Sequence, residues 1–88
     1  MNKESISFNL SEALEELRSV LDEINLRKDY GEDDLRVAME HIYHHMNFAW
    51  NTRFSSTNEI SDHTLDKFYQ WRRFPEDIDL SDPTVEKY

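Results

Sequence analysis

Three histidines crowd one short run, Glu40-His41-Ile42-Tyr43-His44-His45, and these side chains are the best suited to chemistry in the chain. On a helix, His41 and His45 stand one turn apart on the same face, the spacing that lets two imidazoles share a metal ion. Zinc takes four ligands, or three and a water, so further donors are needed. His63 is the first choice, with Asp62 and Glu59 beside it, provided the chain beyond the central helix folds back. Asp34 shares the stripe but lies about 10 Å along the axis, out of reach. The glutamate that follows the first histidine in a metallopeptidase helix is replaced by Ile42, so zinc-peptidase chemistry is not expected. Against the metal stand two plainer readings. Histidines on the flank of a packed helix hydrogen-bond and stack, and Glu40–His44 is itself an (i, i+4) pair. Histidines in an interface also respond to pH. No cofactor is therefore expected, with a divalent transition metal such as zinc as the alternative.

The element that must position these residues is a helix over roughly 34–53. At 100° per residue, Leu35, Ala38, Met39, Ile42, Met46, Ala49 and Trp50 fall in one arc, in the four-three alternation of a helix packed lengthwise on another. A second arc holds Val37, His41, His44, His45, Phe48 and Thr52. The polar stripe of Arg36, Glu40, Asn47 and Asn51 is narrow, so both arcs need cover. If both flanking helices pack on the first arc, the second is left as an interaction face, either a dimer seam or a docking surface; if the third helix covers it instead, it is only core.

Composition sets the frame. The chain has 88 residues, a formal charge of −9, 12% aromatics, one glycine, two prolines and no cysteine. That length predicts one small domain with little surplus core, for which dimerisation is a natural remedy. Few turn-formers and many aromatics suit a folded helical protein. The acidic balance argues against nucleic acid and anionic membranes as partners. It leaves open basic partners or, ranked last, mimicry of nucleic acid. Without cysteine there is no disulfide, thiolate metal site or cysteine nucleophile. No secretion signal is recognisable, so a cytoplasmic location is expected.

Two further helices flank the central one. Leu10, Leu14, Leu17, Leu21 and Ile24 predict an amphipathic helix over roughly 10–27, with Asn9 as N-cap, Glu12 completing a capping box and Phe8 stapled on Ala13. Gly31 is expected to take a left-handed turn before Asp33 or Asp34 caps the central helix. Ser55-Ser-Thr-Asn-Glu59 reads as a loop. Leu65, Phe68, Tyr69 and Trp71 predict a third helix over roughly 63–73, stopped by Pro75. Arg53 is expected to meet carbonyls or a carboxylate, and Arg72 and Arg73 to pair with Glu76 and Asp77. Residues 76–88 form an acidic tail, in which Ile78, Leu80 and Val85 either tuck in or stay mobile.

The expectation is thus an all-α, three-helix domain (residues 1–75) with an acidic tail (76–88), able to pair as a dimeric bundle. No catalytic constellation stands out. The function expected is a non-enzymatic protein–protein interaction module or homodimer using the His/aromatic face, with an unidentified protein as partner. The alternative is a metal-binding protein built on His41 and His45 with His63 or nearby carboxylates.

Overall fold

In the computed structural model, residues 1–82 are described and form four helices with no strand among them: α1 (Lys3–Leu26), α2 (Glu32–Asn51), α3 (Thr57–Ser61) and α4 (Leu65–Arg72). The all-α expectation holds, but the count and two boundaries differ.

Helix α1 begins seven residues before the expected start. Asn2, not Asn9, is its N-cap, accepting the Ser5 backbone N–H at 3.1 Å. The physical reason is tertiary. Asn2 also donates its backbone N–H to the Arg53 carbonyl (2.7 Å) and its side-chain amide to the Ser55 carbonyl (3.0 Å). Those bonds fix the first turns of α1 beside the C-terminal end of α2, so the two helices run antiparallel. Asn9 therefore lies mid-helix and buried, and Phe8 projects outward instead of stapling Ala13.

Gly31 is the N-cap of α2 in extended conformation (φ −121°), not the left-handed one. Its N–H donates to the Asp34 carboxylate at 3.0 Å, the reaching-back half of a capping box. Glu32, Asp33 and Asp34 in the first turn favour the positive end of the helix dipole. The expected 63–73 helix is the slightly shorter α4, and the run expected to be a loop before it forms the extra helix α3. Ser56 and Glu59 form a reciprocal capping box that starts the short α3, and the Thr64 side chain caps α4 at Lys67. The exposed carbonyls at the end of α4 are taken by α2. Asn47 donates to Arg72 (2.7 Å), and Asn51 donates to both Trp71 and Arg73 (2.9 Å each). These amides do the work that a C-cap would otherwise do.

The inward contacts are made by small side chains. Helix α1 packs along α2, and α4 packs on α2's other flank. Val20, Ala38 and Ile42 form the central cluster with Tyr30 against it, while Ala13, Ala49, Phe48 and Trp71 are also buried. The expected four-three seams are only partly in this contact: Ala38, Ile42 and Ala49 of the first arc of α2 are buried, but the larger members are turned away from it. Leu10, Leu14, Leu17, Leu21 and Ile24 on α1, and Leu35, Met39, Met46 and Trp50 on α2, all remain substantially exposed.

Beyond α4, Pro75 is buried and Ile78 half-buried, whereas Leu80 is exposed. Asp77 accepts from the Trp50 indole (2.8 Å) and from Arg53 (3.0 Å), so it serves α2 and not the neighbouring arginines. Arg53 also donates to the Trp50 carbonyl and stacks over its ring at 3.9 Å, the C-terminal role expected of it. Arg72 lies over Phe68. The expectation for Val85 and the rest of the tail falls at 83–88, outside the described residues.

Candidate functional site: a backed histidine pair

The second arc of α2 is divided by its neighbours. Phe48 and Thr52, expected on an interaction face, are buried within the chain. Phe48 meets Trp71 edge-on at 5.9 Å and Phe68 at 5.6 Å, while the Thr52 hydroxyl donates to the Phe48 carbonyl. Phe48 is core because Phe68 and Trp71 of α4 cover it. Val37 stays exposed at 67%, and His44 and His45 are half-buried.

His41 and His45 are brought together as their spacing implies. Their Nε2 atoms lie 3.1 Å apart and their ring centroids 4.8 Å apart. Each ring is held from behind by α1. The Glu16 carboxylate stands 3.2 Å from His41 Nδ1, and the Asn9 side-chain oxygen 3.0 Å from His45 Nδ1. Asn9 is oriented in turn, because its amide donates to the Ser5 carbonyl. An oxygen acceptor therefore faces each Nδ1, on the side of the ring away from the other histidine. The two Nε2 atoms face each other within hydrogen-bonding distance. Burial, followed by the proximity of His41, lowers the His45 pKa, with Glu12 and Glu16 pulling the other way.

His44 does something different. Its ring lies 4.6 Å from Phe48 and 5.5 Å from Phe68, and its Nδ1 is buried with no partner among the described residues. Burial, with help from His45, Arg72 and His41, pushes its pKa down to about 4, so the ring is neutral at pH 7. The aromatic slot thus takes precedence over the expected Glu40 pairing.

His63, the expected third metal ligand, is not with the pair. It stacks on Phe68 at 5.9 Å and its Nδ1 bonds the Ile60 carbonyl, while Glu59 is committed to the α3 capping box. Among the described residues no group of three or more potential ligands converges. The carboxylate that does reach the pair is Glu16, and Asn9 is the other backing residue. Sequence reading missed both because it placed Asn9 at a helix terminus and Glu16 on the solvent face. The available signal was their seven-residue spacing, which sets both on one stripe of a longer α1.

The exposed apolar side chains of α1 and α2 are a second feature of the surface: by helical position both stripes fall to one side of the antiparallel contact. No helix among the described residues is long and apolar enough to cross a membrane. Compared with protein-family models, with curated proteins and with solved structures, the chain matches none.

Proposed function

We propose that this chain is a non-enzymatic interaction module that works as a homodimer, pairing through the apolar face of α1 and α2. The observation that carries the reading is the face itself: five leucine or isoleucine positions on α1 beside Leu35, Met39, Met46 and Trp50 on α2, each exposed by more than a third. Monomeric proteins rarely leave a contiguous apolar patch of this extent in water.

Size and shape support it. The chain exposes 7095 Å², where a monomer of 10.6 kDa is expected to expose about 5,500 Å². Its radius of gyration is 15.1 Å, against about 12 Å for a compact chain of this length. The buried core is correspondingly thin, with three alanines among its seven apolar members. Pairing two antiparallel hairpins face to face makes a four-helix bundle with two-fold symmetry. About ten half-exposed large side chains per copy amount to roughly 800 Å², the contribution each partner makes to a standard interface.

This moves the interface from the His/aromatic arc to the opposite side of the α1–α2 contact. The reason is that Phe48 is already used by α4 and Thr52 is buried within the chain. The test is sedimentation equilibrium from low to high micromolar protein. A dimer mass is expected for the wild type, and a monomer for Leu17→Glu, which sets a charge in the middle of the face. Melting temperature provides a second readout, since a dimer's rises with protomer concentration. A wild type that is monomeric at several hundred micromolar, with a concentration-independent melting point, would refute the proposal.

A further inference from the structure

The geometry points to a divalent transition-metal site at His41 and His45, on the side of the α1–α2 contact away from the apolar face. Two nitrogen ligands bound cis on one zinc, nickel or copper ion, at about 2.0–2.1 Å each, stand roughly 2.9–3.3 Å from one another. The two Nε2 atoms are 3.1 Å apart before any ion is considered. Their rings are inclined by 61° with centroids 4.8 Å apart, closer than head-on nitrogens at that separation allow. The nitrogens therefore meet at an angle, which leaves room for an ion beside them.

The backing matters as much as the pair. A metal-bound imidazole characteristically donates its other N–H to a carboxylate or amide oxygen, which fixes its tautomer and raises its basicity. Glu16 stands in that position behind His41 and Asn9 behind His45. With an oxygen acceptor behind each Nδ1, the two Nε2 atoms, 3.1 Å apart, are the ring atoms left to bind one cation. The Glu16 carboxylate favours positive charge there.

With two protein ligands, water completes the coordination shell. Binding is accordingly reversible, and the order of preference follows ligand type, copper above nickel and zinc, not a closed structural cage. The nitrogen-only donor set disfavours magnesium and calcium, which take oxygen.

The experiment is a titration of tag-free, metal-stripped protein with zinc chloride, observed through the imidazole ¹⁵N resonances of all four histidines. Saturable shifts of the Nε2 resonances of His41 and His45, with His44 and His63 unmoved, are the expected result. His41→Gln, at an exposed position where folding is readily checked by circular dichroism, should abolish saturation. Glu16→Gln, which leaves both ligands in place, should weaken binding about tenfold. Three results overturn the site: no shifts at millimolar zinc, shifts centred on His63, or unchanged binding by His41→Gln. Dimer mass is unaffected by these outcomes, so the two proposals fail separately.

Discussion

Replacing His44 by leucine should flatten the acid limb of this protein's stability curve. The wild-type ring is wedged among Phe48, Phe68 and His45, with a buried Nδ1 that has no partner among the described residues. Its pKa falls from 6.5 to about 4 because charging the ring there costs solvation, and because His45, Arg72 and His41 add like charge. The folded state prefers the neutral form. The penalty is therefore absent above the unfolded value of 6.5, grows as pH falls and levels off below about 4. A shift of that size corresponds to roughly 3 kcal/mol as a ceiling, and screening at the part-exposed ring edge reduces it to about 1–2 kcal/mol. Leucine removes the titration and the orphaned nitrogen, which offsets the loss of ring–ring contact. At pH 7 the two proteins should therefore agree to within about 1 kcal/mol. The assay is urea unfolding at pH 7.5 and pH 4.5, at one fixed protomer concentration, followed by tryptophan emission. Carboxylates and His45 titrate in both proteins, so the difference between the two pH dependences isolates His44. Parallel pH dependences would show that the slot does not disfavour the imidazolium, and the reading of His44 would fail.

Two other substitutions test the packing. Ile42→Ala, at the centre of the Val20–Ala38–Ile42 cluster, should cost about 2–4 kcal/mol in chemical denaturation, because the void cannot collapse onto the already small alanines around it. A loss below 1 kcal/mol would mean that this cluster is not the core. Asn51→Ala leaves the Trp71 and Arg73 carbonyls without their shared donor. It should destabilise by about 1–2 kcal/mol and speed hydrogen exchange in α4 ahead of α1, whereas uniform exchange would place α4's anchor elsewhere.

Much of the helix content was legible in the residues. The span of α2 follows from its periodicity and from the acids at its start, and the place where α4 stops follows from Pro75. The Ser56-x-x-Glu59 signature that opens α3 was present in the sequence too, but the polar run around it reads as loop. The start of α1 was harder. Residues 3–8 carry no breaker, yet nothing local prefers Asn2 over Asn9 as cap. The decision comes from bonds to Arg53 and Ser55, more than fifty residues away. At the site, the His41–His45 pairing follows from a four-residue spacing. Their backing by Glu16 and Asn9 depends on how α1 is turned.

The sequence by itself determined that this chain is helical, that α1 and α2 each carry an apolar stripe in four-three alternation, and that two histidines share a face. Only the tertiary structure decided which way those stripes turn. Periodicity says which side chains lie on one side of a helix but leaves the rotation about its axis free. In the folded chain Ala13, Ala38 and Ala49 are among the side chains turned inward. That orientation brings Asn9 and Glu16 of α1 to the histidines of α2 and leaves the leucines and methionines exposed.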